Sequence, residues 1–512
     1  MNRTQFFGLL AQHAKTMPNA IALCSSQHSV TWAELLDEIK LRSAWIKSHQ
    51  IETMAISADN SPNWVLWDLA ALYSNTVFVP VPGYFSTMQK QRLLNSAGIE
   101  YLISDQVTLA DAVELGIGID PQPTAILSCS YLVHTRVNTD KISRNHHKST
   151  AKITYTSGSS GEPKGVMLSA SQQLSVAQSL ADSLAELKVK KHDCILPLAI
   201  LLENIAGVYA PLIVGACVQT SPMSEVGIKG SSELDIATFL RGLHGRSGES
   251  LILLPQLLLA LVSAIEIGAP LPEHLKFVAV GGARVSDSLI HRALAVGLPV
   301  YQGYGLSENA SVSTLNTPSR NKIGSVGCAL PHNQIRIAND GEIEVKGNKM
   351  LGYLGADSGN ELNEADEWLS TGDLGYLDDE GFLFVKGRKK NVFISSFGRN
   401  INPEWIESEL CSSAEIAQSY VTGEAQAFNV AVIVPRYSYY KDHQIQDAVD
   451  LVNCRLPDYA RVNRWIRSDT PFTFTNGLST SNGRPKRQSL ENTFSARISA
   501  LYQETTATTE YL

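Results

Sequence analysis

Ile153-Thr-Tyr-Thr-Ser-Gly-Ser-Ser-Gly-Glu-Pro-Lys-Gly165 sets a short apolar, β-rich run directly before a loop of small residues that ends in a lysine. A strand that delivers such a loop presents hydroxyls and backbone N–H groups together, and glycines allow close backbone approach and positive φ. Thr156, Ser157, Gly158, Ser159, Ser160, Gly161 and Lys164 are therefore candidates to cradle an anion, phosphate above all. The spacing is not G-x-x-x-x-G-K-[ST], because the lysine follows Glu162-Pro163 and no Ser or Thr comes after it. Taken alone, the stretch also reads as a flexible Gly/Ser turn.

Working outward, apolar spacing over Phe6–Ala14 and Trp32–Ile46 predicts amphipathic helices, the second capped by Thr31 with Glu34 three residues later. Runs such as Val77-Phe-Val-Pro80, Tyr101-Leu-Ile-Ser104 and Leu251-Ile-Leu-Leu254 alternate with helical stretches. That alternation predicts an α/β fold, with parallel-rich sheets flanked by helices. The polar segment Asp140–Thr150, with His146 and His147, reads as an exposed lead-in to the loop in preference to a metal tract. Leu377-Asp-Asp-Glu-Gly381 reads as a hairpin turn between Tyr376 and Phe382-Leu-Phe-Val385, and Lys386-Gly-Arg-Lys-Lys390 as a hinge into a smaller domain.

The 512 residues, 44% of them hydrophobic and 18% charged, exceed a single compact domain. With 42 basic and 50 acidic residues the formal charge is −8, so no global field attracts nucleic acid or an anionic membrane. An anion must be captured locally. The seven cysteines are scattered and never form a CxxC pair, which favours reduced thiols in a cytoplasm over a zinc site. The apolar N-terminal stretch is broken by Gln12, His13 and Lys15, and no segment approaches the ~20 apolar residues of a membrane span. The expectation is a soluble cytoplasmic protein.

The loop does not stand alone. Gly281-Gly-Ala283, Tyr301-Gln-Gly-Tyr-Gly-Leu-Ser-Glu308, Gly324-Ser-Val-Gly327, Glu342-Ile-Glu-Val-Lys-Gly347, Ser370-Thr-Gly-Asp373 and Gly387-Arg-Lys-Lys-Asn391 follow it in order. This series resembles the adenylate-forming superfamily of acyl-CoA synthetases, peptide-synthetase adenylation domains and luciferases, over nearly the whole chain. The resemblance implies a large multi-subdomain N-terminal domain, residues 1–387, that binds ATP and a carboxylic acid. A small mobile α+β C-terminal lid, residues 388–512, would turn about a hinge at Lys390.

The resemblance also implies roles. Gly281, Gly282 and Ala283 would let adenine lie against the backbone. In Gly303-Tyr304-Gly305, Tyr304 would stack on adenine, while Ser307 meets phosphate and Glu308 holds Mg²⁺, for which one carboxylate plus substrate phosphates suffices. Asp373 would accept from the ribose hydroxyls, and Arg388 would reach ribose or phosphate. The implied chemistry is ATP-dependent activation of an acid to an acyl-adenylate, then transfer to the thiol of CoA or of a carrier protein's phosphopantetheine. The alternatives are another acceptor, such as an amine or internal hydroxyl, and a nucleotide-binding relative that has lost catalysis.

Two departures from the pattern bear on mechanism. Aligning Thr480-Ser-Asn-Gly483 with the family's C-terminal motif puts Arg484 where the catalytic lysine is expected, with Lys486 two residues on as a stand-in. In Leu196-Pro-Leu-Ala-Ile200, Ile200 occupies a position where many relatives carry histidine, which favours a fatty or otherwise apolar acid. Ile200, with Glu203 and Asn204, is expected to line the acyl pocket. Ser395–Glu407 and Phe474-Thr-Asn-Gly-Leu478 look like the long-chain acyl-CoA synthetase branch.

Overall fold

The computed structural model describes residues 1–99, 101–105, 133–136, 146–157, 163–229, 233–355, 368–480 and 483–509. Two large sheets dominate. One has nine strands, and its central members Ile21–Cys24, Cys217–Gln219, Lys191–Asp193, Ser250–Leu253, Phe277–Val280 and Val300–Tyr304 run parallel to one another. The other has seven, built on the parallel strands Thr150–Ser157, Val77–Pro80, Thr53–Ser57 and Tyr101–Ser104. The α/β architecture matches the alternation in the sequence, because each parallel crossover needs a helix to return the chain.

Local signals recur as structure. The helix Trp32–Ser48 is capped by Thr31, whose Oγ1 accepts from the Glu34 N–H at 3.3 Å while Glu34 Oε2 accepts from the Thr31 N–H at 2.8 Å. Leu369–Leu377 and Leu383–Arg388 form the expected hairpin, with Gly381 at φ +81° in its turn and Tyr376 stacked on Phe384 at 4.8 Å. Of the polar lead-in, residues 140–145 lie outside the described residues. His146 and His147 are half-buried, and His146 Nε2 lies 3.5 Å from Thr53 Oγ1.

A four-stranded antiparallel sheet, Gln334–Ile337, Glu342–Lys346, Leu369–Leu377 and Leu383–Arg388, follows the two large ones. Beyond it the chain builds a small α+β unit, in which the sheet Ile416–Thr422, Asn429–Pro435 and Val462–Arg467 packs with helices Pro403–Cys411, Asp442–Asn453 and Arg487–Thr509 over its own apolar clusters. The two largest of the clusters in the N-terminal body share Leu202, Ala206 and Ala279, which pack against both.

Deep in that body sits a polar network that no motif announced. Lys152 Nζ pairs with Asp68 Oδ1 at 2.9 Å and donates to the Tyr209 hydroxyl at 3.1 Å and to Asn204 Oδ1. Asn204 Nδ2 and the Tyr209 hydroxyl in turn donate to Asp68 Oδ2 at 2.7 and 2.9 Å. All four side chains are buried. Burial pulls the Lys152 pKa below the ordinary lysine value and Asp68 opposes that pull.

Candidate active site

The two lobes enclose a cleft of about 1900 Å³, lined from the N-terminal side by the hairpin strands, Gly281–Ala283 and Gly303–Glu308, and from the C-terminal side by residues including Lys390 and Arg484. Thr156 and Lys164 are register partners in the antiparallel pair Thr150–Ser157 and Pro163–Ser169, so strand pairing fixes both ends of the loop. Gly158, Ser159, Ser160 and Gly161 lie outside the described residues, as does the side chain of Ser157.

Beside that hairpin, Gly352–Tyr353 pairs with Val166 and Met167. This brings the Tyr353 ring to 5.3 Å from Lys164 Nζ, within cation–π range. The Tyr353 hydroxyl donates to Glu308 Oε1 at 2.9 Å. Burial first, and then the charge of Glu308, raise the phenol's pKa, so it stays a donor. Tyr353 thus ties the loop lysine to the carboxylate. Sequence reading missed it, since its only signal is a strand pairing between segments far apart in the chain.

Glu308 is the middle residue of a short 3₁₀ turn, Ser307–Asn309, that follows Gly305. A side chain at Gly305 would meet the Ser311 carbonyl at 1.7 Å, so only glycine lets these backbones approach. One carboxylate oxygen of Glu308 takes the Tyr353 bond, and the other has no hydrogen-bond partner among the described residues. That donor set fits Mg²⁺ held together with substrate phosphates. A separate buried group, His192, Cys194 and Glu203, has its ligand atoms within 4.8 Å of one another. Its polar atoms are already engaged: His192 Nδ1 by Ser250 Oγ at 2.9 Å, and Glu203 Oε2 by the Leu196 N–H at 3.2 Å.

Asp373 and Arg388 are cross-strand partners in the four-stranded sheet, with Arg388 Nε 3.0 Å from Asp373 Oδ1. The Tyr304 hydroxyl donates to Asp373 Oδ2 at 2.7 Å, and Arg388 Nη1 donates to the Thr371 carbonyl at 3.0 Å. Burial pushes the Asp373 pKa up, while Arg388 and Tyr304 pull against it. A carboxylate has about four lone-pair sites, so each oxygen can still accept a ribose hydroxyl.

Arg484 crosses between the lobes. Its Nη2 donates to the Gly282 carbonyl at 2.8 Å, where Gly282 adopts φ +78°, a conformation that favours glycine. Lys486 stays within the C-terminal lobe, its Nζ 5.6 Å from the Phe474 ring centroid. Lys164, Arg388, Lys390, Arg484 and Lys486 all line the cleft. Burial lowers the Lys390 pKa first, and then the charges of Arg388, Arg484 and Lys164 contribute, against the opposing Glu404. Crowded cations of this kind are relieved by a polyanion.

The acid pocket needs a correction. Ile200 lines the cleft, but Glu203 and Asn204 do not. Both belong to a π-helical turn, Glu203–Tyr209, whose wider winding turns them inward. Glu203 Oε1 lies 3.3 Å from His192 Nε2, and Asn204 joins the Asp68–Lys152 network. Leu202 and Ala206 of the same segment face the cleft instead.

The family model for AMP-binding enzymes matches residues 10–355, and that for the AMP-binding enzyme C-terminal domain matches residues 390–506. The chain belongs to the AMP-binding enzyme family. This enzyme is an adenylate-forming, acyl-CoA synthetase-like ligase. It is 28% identical over 443 residues to a 2-succinylbenzoate–CoA ligase of Bacillus subtilis, covering 81% of this chain and 84% of that one. It is 29% identical over 263 residues to the long-chain-fatty-acid–CoA ligase FadD15 of Mycobacterium bovis, covering 47% and 44%. Among solved structures, the Bacillus subtilis o-succinylbenzoate CoA synthetase with ATP and magnesium ion superposes with TM-score 0.73 at 25% identity, covering 94% of this enzyme and 99% of that chain. An anthranilate CoA ligase bound to anthranoyl-AMP gives TM-score 0.77 at 16% identity, covering 96% and 97%, a likeness of fold.

One prediction arises directly from the Tyr353 strut. Tyr353→Phe keeps the ring under Lys164 but removes the bond to Glu308, worth about 1.5 kcal/mol for a charged acceptor. The Mg²⁺ concentration for half-maximal activity should rise roughly tenfold, with little change in thermal stability. Titrating Mg²⁺ against activity at saturating ATP checks it.

Proposed function

We propose that the enzyme activates an apolar carboxylic acid with ATP and passes the acyl group to the thiol of CoA or of a phosphopantetheine arm. The observation that carries this is the convergence of Lys164, Glu308, Asp373, Arg388 and, from the other lobe, Arg484 on one cleft. In the first step a carboxylate oxygen attacks the α-phosphorus, an acyl–phosphate bond forms, and the bond to pyrophosphate breaks. Negative charge grows on the transferring group and the leaving pyrophosphate, so cations aimed there lower the barrier more than they lower the ground state. Arg484 serves the reacting carboxylate and α-phosphate, Lys164 and the loop hold the departing phosphates, and Tyr304, Asp373 and Arg388 position the nucleoside. Mg²⁺, when bound at Glu308, supplies further charge neutralisation at the phosphates.

In the second step the thiolate attacks the acyl carbon and AMP leaves. For this we propose that residues 388–512 turn about Lys390, withdraw Arg484 and admit the thiol. No helix among the described residues is long and apolar enough to cross a membrane. Cys24, Cys194, Cys217, Cys328, Cys411 and Cys454 are free thiols, which supports a cytoplasmic setting. Acid-dependent exchange of labelled pyrophosphate into ATP is the expected result, and no exchange across a broad acid panel overturns the reading. AMP release measured with CoA, with a carrier protein and with neither then identifies the acceptor, since only the true thiol accelerates turnover.

A further inference from the structure

The lobes also meet through a polar seam between two helices. Helix Asp287–Ala295 follows the Gly281–Ala283 loop, and helix Pro403–Cys411 lies just beyond the hinge in the C-terminal lobe. Arg292 of the first reaches the end of the second: its Nη1 donates at 2.8 Å to the carbonyl of Ser412, the C-cap of that helix. Carbonyls at a helix C-terminus lack intrahelical partners and carry the negative end of the dipole, so a guanidinium is a favourable donor there. The rest of the fork is set in advance. Nε and Nη2 donate to the two Glu266 carboxylate oxygens at 2.8 and 2.7 Å, and Nη2 also to Ser263 Oγ at 3.1 Å, both residues on helix Pro255–Glu266. An arginine held this way loses little freedom when it takes the Ser412 carbonyl.

One turn earlier, the Ser288 hydroxyl donates to Glu409 Oε2 at 3.1 Å and lies 3.2 Å from Ser412 Oγ. Glu409 is buried, which raises its pKa, and the Ser288 bond and then the charge of Arg455 oppose that rise. A buried carboxylate depends on such a donor. Nearer the hinge, Arg284 Nη1 donates to the Val385 and Lys386 carbonyls at 2.8 and 3.1 Å. Residues 282–292 therefore present, in order, the carbonyl that receives Arg484, the tie to the strand entering the hinge, and the two groups that receive helix Pro403–Cys411.

We propose that Ser288 and Arg292 are positioning residues for adenylation: they latch helix Pro403–Cys411, so that Arg484 arrives at the Gly282 carbonyl, and they let go when the lid turns. The proposal rests on the lid-turning reading above. The latch is polar, so water replaces each bond as the lobes part, and opening costs only the difference between the two sets of bonds. Their contribution is made in one pose and not in the other, which is the condition for a contact to bias an equilibrium.

The test separates the two half-reactions. Thioester formation is measured from preformed acyl-adenylate, with CoA or a carrier protein, whichever accelerates AMP release, and compared with pyrophosphate exchange. Arg292→Ala should raise the ratio of the first rate to the second roughly tenfold, because a bond from a charged donor is lost from one pose only. Ser288→Ala, which leaves Glu409 without its donor, should shift the ratio the same way, and Arg292→Lys should shift it less. An unchanged ratio in the folded alanine variants overturns the latch. Ser288→Cys combined with Ser412→Cys gives a second reading, since the two hydroxyl oxygens are 3.2 Å apart. Cross-linked by oxidised glutathione, this variant should keep exchange and lose thioester formation roughly tenfold or more, and a reductant should restore it. Full thioester formation by the cross-linked enzyme overturns the turning of the lid and the latch with it. A block by the cross-link with no ratio shift in the alanine variants overturns the latch alone. Should no acid support exchange, adenylation fails instead, and the rate of cross-linking decides the latch: slowing by Arg292→Ala of roughly threefold or more upholds it, and an unchanged rate overturns it.

Discussion

Arg484→Ala lowers acid-dependent pyrophosphate exchange by roughly 10²–10³-fold, the usual cost of removing one group aimed at developing charge. Lys486→Ala leaves exchange within about threefold, because its half-buried ammonium rests on Phe474 at the C-terminal wall of the cleft and bonds to no group of the other lobe among the described residues. Sequence alignment alone offered both residues for the lysine's role. Geometry separates them, since Arg484 spans the cleft to the Gly282 carbonyl at 2.8 Å. Arg484→Lys should recover part of the loss, because the charge returns while the planar fork does not. Supplying preformed acyl-adenylate and a thiol provides the control: Arg484→Ala should then turn over near the rate of the unaltered enzyme, because its contribution belongs to the first step. A large loss in Lys486→Ala with little in Arg484→Ala would reverse the assignment.

The second large effect is on stability. Lys152→Met strips the positive charge from a site where Asp68 stays buried with its other partners, Asn204 and Tyr209, still in place. Breaking a buried pair by removing one partner costs about 3–5 kcal/mol, since the remaining charge cannot return to water. Thermal unfolding should shift down by roughly 4–6 °C. Lys152→Met combined with Asp68→Asn should be less damaging than Lys152→Met alone, because no bare carboxylate remains. Differential scanning calorimetry of the two variants checks both statements, and equal losses would show that packing outweighs charge here. The network also bears on the site, for Lys152 lies on the same strand that carries Thr156 to the cleft.

Much of the cleft could be read along the chain because each motif is local. Glycine and hydroxyl clusters after apolar runs, as at Gly281–Ala283 and Thr156–Lys164, are dictated by what a backbone must do near an anion. Tyr304, Glu308, Asp373 and Arg388 were singled out by the family resemblance of their motifs, and the structure brings them to one cavity. Glu203 and Asn204 were misassigned for a definite reason: a π-helical turn changes which side chains point inward, and nothing in the residue types signals i→i+5 winding.

The sequence by itself determined the α/β class, which follows from short-range patterns of polarity and turn chemistry, and it carried the ordered motifs whose family resemblance implied the nucleotide roles and the exchange of lysine for Arg484. Only the tertiary structure decided that Tyr353 bridges Lys164 to Glu308, that Lys152 and Asp68 share one buried network, and that Arg484 reaches across the cleft to the Gly282 carbonyl. Each of these depends on which distant strands become neighbours and on which face of each strand is turned inward. That choice is made by packing the whole chain, so no single segment contains it.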